Sequence, residues 1–276
     1  MTKRIVTVQD ISCLGQCSIT VALPVLSALG VETAILPSAI LSTHSGGFQN
    51  YAVHDLTEEM PKIVEHWTRE GLEFDAIYTG YIGNARQFDT ILRLRKLLKP
   101  NGFLAVDPAM ADHGKLYKGL NSEIVRGMRK LVSNAKVILP NLTEACFLLD
   151  KPYMDGMEKN LSEIQDLAKE LSRLGPRYSI ITGVVFSDDE IGPLCYDKET
   201  DRFTEARAKR YPKSYHGTGD LFSSVCIGNL VLGESIEKAM SQSADFVSKA
   251  IEETVGDETH TYGVHFEKVL AKSVDK

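Results

Sequence analysis

Val137-Ile138-Leu139-Pro140-Asn141-Leu142-Thr143-Glu144 is a short apolar run, closed by a proline, that passes directly into a helix start. The run lacks polar alternation, which suits a strand covered on both faces, and Asn141 followed three residues later by Glu144 is a helix-start signature. The same unit recurs outward in both directions. Ile5–Val8, Thr33–Leu36, Ala76–Thr79 and Phe103–Val106 precede it and Ser179–Thr182 follows it, each a candidate central strand. Helical spacing fills the intervals, near Ser18–Leu29, Thr57–Arg69, Ala85–Leu98 and Ser122–Val132, and continues over Asp220–Leu232 and Ser235–Thr254. The clearest helix is Leu161–Leu174, with Leu161, Ile164, Leu167, Leu171 and Leu174 on one stripe and Gly175 placed to stop it. This alternation predicts an α/β fold with a mainly parallel sheet. Ile191–Tyr196 and Phe203–Ala208, joined by a charged turn, predict one antiparallel hairpin late in that sheet. No linker-like tract, charge block or repeat divides the chain, so residues 1–276 are expected to form a single domain.

Composition narrows the function. With 43% hydrophobic and 25% charged residues, the chain has material for a sizeable core. A net charge of -6 argues against a protein whose main work is neutralising nucleic-acid phosphates. The most apolar stretch, Ile19 to Leu41, is broken by Pro24, Gly30, Glu32 and Pro37, so no membrane span is expected. The opening Met1-Thr2-Lys3-Arg4 runs straight into a strand, which predicts a cytoplasmic protein. Five scattered cysteines fit a reducing compartment, and Cys13 with Cys17 has no second Cys/His pair nearby to complete a metal site.

Ligands of open α/β sheets bind beyond the carboxyl ends of the strands, so the residues just after each strand are the candidates for chemistry. Tyr215-His216-Gly217-Thr218-Gly219-Asp220 precedes an apolar helix. Exposed amides at such a helix start, with the dipole behind them, would hold a phosphate, and Asp220 beside it could take a proton from an alcohol. A plain glycine turn with a helix cap accounts for the same residues. Asn141 and Glu144 fall on one helix face and could hold hydrated Mg²⁺ against nucleotide phosphates, or simply cap their helix. Ala105-Val106-Asp107-Pro108 delivers Asp107 to the same sheet edge, where it could share that environment or merely start a turn.

Together, Ala105–Met110, the Asn141-x-x-Glu144 motif and Gly217-Thr218-Gly219-Asp220 resemble the ribokinase superfamily, and closely its vitamin-kinase branch of pyridoxal, pyridoxine and pyridoxamine kinases. Val8-Gln9-Asp10 with Gly15, Leu41-Ser42-Thr43-His44-Ser45 and Thr79-Gly80-Tyr81-Ile82-Gly83 look like the substrate-loop motifs of that branch. The resemblance implies a three-layer α/β/α sandwich, ATP as co-substrate with Mg²⁺, stimulation by a monovalent cation such as K⁺, and a homodimer. It makes Asp220 the catalytic base and Gly217, Thr218 and Gly219 the anion hole. Asn141, Glu144, Asp107, Thr182 and Thr218 become the nucleotide residues, with Glu144 and Asp107 holding metal through water. Asp10, Ser45, Tyr81 and Asp220 would surround the vitamin ring, with His44 nearby. His44 could instead be a loop histidine bonded to backbone, and Tyr81 could belong to the core.

Asp10 departs from the family, where several members carry a small hydroxyl residue, and its charge is expected to favour an amine-bearing vitamer. The segment with His113, Lys115, Tyr117 and Lys118 is a candidate for closing over ATP, or a charged, solvated connection. Two rivals remain. A hydroxymethylpyrimidine kinase of thiamine synthesis shares the motif order, although a cysteine often stands there in place of Asp220. A non-catalytic carrier or sensor of pyridoxal phosphate would keep the pocket without the transfer.

Overall fold

The computed structural model describes residues 2–44, 46 and 48–274. Ser45 therefore lies outside the described residues. In chain order the elements are β1 (Arg4–Val8), β2 (Ile11–Ser12), α1 (Ile19–Ala28), β3 (Glu32–Ile35), β4 (Ala39–Leu41), β5 (Val53–Asp55), α2 (Met60–Arg69), β6 (Phe74–Thr79), α3 (Gln87–Leu94) and β7 (Leu98–Val106). They continue as β8 (Ala111–Asp112), β9 (Lys115–Leu116), α4 (Ser122–Val132), β10 (Val137–Ile138), α5 (Leu142–Leu149), α6 (Leu161–Arg173), β11 (Tyr178–Val185), β12 (Glu190–Asp197), β13 (Arg202–Glu205), β14 (Ala208–Lys209), α7 (Thr218–Leu232), α8 (Ile236–Thr254) and α9 (Phe266–Val274).

Among the described residues one sheet holds nine strands, in the order β13-β12-β11-β10-β7-β6-β1-β3 with β14 also on β12. From β3 through β11 every pairing is parallel, and β12 adds antiparallel to β11 and carries β13 and β14. All six expected central strands are present, and the expected hairpin is β12 with β13.

The strands read as continuous apolar runs because each face packs under its own helical layer. Val6, Ile77, Leu104, Val106 and Ile138 point into a cluster with Met60, Phe88, Ile91, Met128 and Leu167, from helices α2, α3, α4 and α6. Their neighbours Ile5, Ala76, Tyr78, Ala105 and Val137 point the other way, onto Ala22, Leu26, Phe222, Cys226, Ala239 and Met240 of α1, α7 and α8. Period-two alternation between two buried faces is what a three-layer sandwich requires. Among the described residues no helix is long and apolar enough to cross a membrane.

Three features depart from the sequence reading. β2, β4 and β5 make a small separate sheet. The segment after Asp107 forms the β8–β9 hairpin, with His113 turned out to solvent beside Asp112. The strand expected to stop at Thr182 runs on to Val185, because Thr182 and Gly183 together oppose Pro193 alone; Gly183, at φ 76°, lets the bulge form without steric cost.

Candidate active site

The parallel ladder extends past the strand ends and fixes the residues that follow. The amide of Asp107 donates to the Thr79 carbonyl at 2.9 Å, that of Leu139 to Val106 at 3.0 Å, and that of Thr182 to Pro140 at 3.0 Å. Asp107 and the Pro140–Asn141 turn are thereby held at one sheet edge, where the amino terminus of α7 also arrives. There a cavity of about 400 Å³ is lined by Asp107, Asn141, Glu144, Thr182 and the whole turn from Gly217 to Asp220.

Gly217 caps α7 in the left-handed region, at φ 76°. A Cβ there would fall 1.8 Å from the Gln16 carbonyl oxygen, so only glycine lets the turn lie against that backbone. Gly219 differs, since a Cβ on it would meet nothing within 4 Å. The Thr218 hydroxyl donates to the Tyr215 carbonyl at 3.1 Å and steadies the turn. The first amides of α7 have no intrahelical acceptor, and the helix dipole adds partial positive charge to them.

Three carboxyls face this space. Burial pushes Asp220 up to about 8, and the charges of Asp107 and Asp10 add to the rise while the Ser18 backbone amide opposes it. Asp107 is pushed up to about 6 by burial, against the opposing hydrogen bond from the Ser223 hydroxyl at 2.7 Å. Glu144 is held well above the usual carboxylate range by burial first and by Asp107 second. Its Oε2 accepts the Asn141 amide at 2.9 Å and its Oε1 the Met110 amide at 3.1 Å, while Asn141 Oδ1 accepts the Glu144 amide at 2.9 Å. Asn141 and Glu144 thus form the reciprocal capping box of α5, and Asn141 Nδ2 also holds the Ala111 carbonyl at 2.8 Å. The helix-cap reading is realised in full. Both residues also line the cavity that Asp107 shares.

Mutual repulsion among buried carboxyls creates a place where a cation is stabilised. Among the described residues no group of three or more His, Cys, Asp or Glu side chains is close enough to enclose a metal. This donor set suits Mg²⁺, which keeps several waters and takes one or two carboxylates together with substrate phosphates.

Asp10, His44 and Tyr81 do not line the cavity; they gather beside it. Asp10 is 3% exposed, accepts the Ser12 hydroxyl at 2.8 Å, and is raised by burial. Tyr81 is half-buried rather than core, and burial followed by the charge of Asp10 pushes it up to about 12. His44 Nδ1 accepts the Gly46 amide at 3.1 Å, which leaves the proton on Nε2, and that atom is buried without a partner. His44 is therefore a loop histidine bonded to backbone, with one ring N–H left over. Its ring centre lies 5.2 Å from that of His216, which lines the cavity, so the two groups of residues meet there.

Sequence reasoning passed over Ser223 and the loop at Gln16–Ser18. Ser223 stands one helical turn after Asp220 on α7, a spacing that could have shown it reaching the same edge. The close approach of Gln16 to Gly217 has no local signal at all. Cys13 and Cys17 are free thiols.

The chain matches the phosphomethylpyrimidine kinase family over residues 18–265. A Bacteroides thetaiotaomicron protein, assigned as a phosphomethylpyrimidine kinase and crystallised with pyridoxal, is 36% identical with a TM-score of 0.93, over 99% of this chain and 96% of that one. Pyridoxal kinase from Lactobacillus plantarum is 31% identical with a TM-score of 0.90, over 100% of this chain and 98% of that one. The thiamine biosynthetic bifunctional enzyme TH1 of Arabidopsis thaliana is 28% identical over 90% of this chain, which spans only 46% of that longer protein. The chain belongs to the phosphomethylpyrimidine kinase family, with a ribokinase-like fold, and is a phosphotransferase that acts on an alcohol group.

Proposed function

We propose that the chain phosphorylates the 5'-hydroxymethyl group of a vitamin B6 vitamer, with Asp220 as the base. The observation that carries this reading is a buried carboxyl, raised to about 8, at the amino terminus of α7 beside the left-handed Gly217. A base matched to neutral pH is the most effective acceptor of a proton that leaves during the transition state. The acceptor oxygen forms its bond to the γ-phosphorus and gives its proton to Asp220, as the bond from phosphorus to the departing ADP oxygen breaks. Amides of Thr218, Gly219 and Asp220 take up the charge on the transferred group. Asn141, Thr182 and Thr218 position the triphosphate, and Glu144 and Asp107 would hold Mg²⁺ through water. That ion, when bound, neutralises phosphate charge.

Asp10, Ser45, Tyr81 and His44 would form the ring pocket. The unpartnered Nε2–H of His44 supports this, since a buried donor left unpaired is costly and a ring hydroxyl or nitrogen would satisfy it. The pyridoxal in the Bacteroides thetaiotaomicron structure favours the same substrate class. The proposal treats residues 1–276 as one kinase domain, working as a cytoplasmic homodimer with K⁺ as a stimulating ion.

A hydroxymethylpyrimidine kinase is the second reading, favoured by the family match and by curated relatives such as the hydroxymethylpyrimidine/phosphomethylpyrimidine kinase of Bacillus subtilis, 28% identical over 75% of this chain. One panel separates them: ATP consumption with pyridoxal, pyridoxine, pyridoxamine and hydroxymethylpyrimidine, with and without Mg²⁺ and K⁺. Mg²⁺-dependent turnover of a vitamer above that of the pyrimidine is expected, and an Asp10→Ser variant should lose preference for pyridoxamine. Turnover of the pyrimidine alone refutes the B6 reading, and turnover of nothing leaves the carrier.

A further inference from the structure

We propose that Gln16 is a positioning residue for phosphoryl transfer, a keystone through which the segment from Asp257 to Glu267 holds the anion-binding turn at Gly217 in place. The inference rests on the reading of that turn as the anion hole.

Gln16 does not line the cavity. Its backbone carbonyl is nevertheless the surface on which Gly217 lies, close enough that a Cβ would come within 1.8 Å. Two residues on, the Ser18 amide faces the Asp220 carboxyl. The loop from Gln16 to Ser18 thus touches both ends of the turn. A shift of this loop moves the anion hole and the base together.

The other side of Gln16 is committed to the far end of the chain. Its amide donates to the Tyr262 carbonyl at 3.1 Å. Its Nε2 donates to both oxygens of Glu267, at 2.6 and 2.8 Å. Its Oε1 lies 2.7 Å from His260 Nε2, and because an amide oxygen only accepts, that nitrogen carries the proton. Gly263 lets the backbones meet, since a Cβ there would stand 2.4 Å from that of Gln16.

The clamp is itself braced. The His260 ring packs at a tilt against those of Tyr262 and His265, at 4.3 and 4.0 Å between centres. His265 Nε2 pairs with Asp257 at 3.0 Å, and Asp257 also accepts the amides of Thr259 and His260. A half-buried glutamine at a loop tip would ordinarily be satisfied by water. Here every polar atom of its side chain is engaged by one distant segment.

The loop has separate local support, because the Thr20 hydroxyl binds the carbonyls of Gly15 and Cys17 at 2.7 and 2.6 Å. Loss of the clamp should therefore displace the loop slightly rather than unfold it. Displacements of that size matter in proportion to how strictly a reaction depends on orientation.

The test uses the full chain with Gln16→Ala, Glu267→Ala and the exchanged pair Gln16→Glu with Glu267→Gln. The exchanged pair reverses donor and acceptor but keeps the bonds to residue 267 and His260. Amide hydrogen exchange over 216–222 should quicken about tenfold in each alanine variant, with that of β1 and β6 unchanged. Turnover should fall about 10- to 100-fold with KM for the acceptor within about threefold of the parent, as expected for lost orientation. The exchanged pair should restore both. Because exchange needs no substrate, a parent protein inactive on every alcohol would sink the kinase reading while the exchange data still judge the clamp. Unchanged exchange over 216–222 in the alanine variants, or quickened exchange with undiminished turnover in an active parent, overturns the proposal.

Discussion

Replacing Asp220 with asparagine should move activity and stability in opposite directions. Asparagine keeps the shape of the side chain but can neither accept the proton of an alcohol nor carry charge. A base at this position would supply about 10²- to 10⁴-fold of rate, or roughly 3 to 5 kcal/mol of barrier, so on the proposed role Asp220→Asn should lower turnover by that factor. ATP affinity should change little, because the amides of the turn remain. The stability effect follows from linkage. The carboxyl ordinarily titrates at 3.8 and is raised to about 8 in the folded protein, so between those values the native state binds the proton more tightly than the unfolded chain. Stability contributed by the protonated form is complete below the lower value and is lost as pH climbs toward the higher one. At pH 7 the interval from 3.8 is roughly three units, which at about 1.4 kcal/mol per unit bounds the loss near 4 kcal/mol; relaxation and water entry bring it to about 1–3 kcal/mol. Asp220→Asn should recover that amount and flatten the decline of stability from pH 5 to 8. Denaturant unfolding at several pH values, beside steady-state assays, measures both. A variant with near-normal turnover, or one destabilised equally at pH 5 and pH 8, refutes the account of Asp220 as a buried base.

The two glycines of the turn should behave differently. Gly217→Ala adds a side chain at φ 76° and forces it into the Gln16 carbonyl, so a loss of about 2–4 kcal/mol and of most turnover is expected. Gly219→Ala, with open space around its Cβ, should stay within about 1 kcal/mol of the parent; thermal melts of the pair check the contrast. Ser223→Ala removes the 2.7 Å donor that restrains Asp107, whose carboxyl should then rise beyond about 6. The acidic limb of the pH–rate profile should move to higher pH, and an unmoved limb excludes Asp107 from the reacting assembly.

The central sheet was legible because the chemistry that makes it is local in the chain. Val137-Ile138-Leu139 is apolar at every position, and Ala76–Thr79 lacks polar alternation, which is wasteful on a half-exposed strand and necessary on one buried between helical layers. The small sheet was not legible for the opposite reason. β2, β4 and β5 hold two or three residues each, too few for a period of two to declare itself, and they pair through contacts dictated by the larger fold. The bulge at Thr182 was hidden in the same way. Gly183 looks like a strand terminator until Pro193, which has no N–H to offer, is known to lie opposite.

Within the site, what the sequence displayed was the set of polar residues just past each strand, since topology brings those ends to one edge whatever the details. What it concealed was which of them answer to one another. Asn141 and Glu144 sit in a capping box whether or not they meet nucleotide, and the two roles are compatible because a capped helix start is a rigid place from which to present an oxygen. Asp107 depends on a serine 116 positions away, and Gly217 on a carbonyl from the loop between β2 and α1. Neither partner carries a mark in its own neighbourhood. A turn shaped by a backbone contact imposes a requirement on the residue that must yield, which is why glycine at 217 was visible; the carbonyl that presses on it is common to every amino acid, and the Gln16 side chain is tied to its place only by bonds to residues 244 and 251 positions away. The part of an active site that sequence reveals is accordingly the part that side-chain identity constrains, and the remainder belongs to the backbone and to the long-range bonds that hold it.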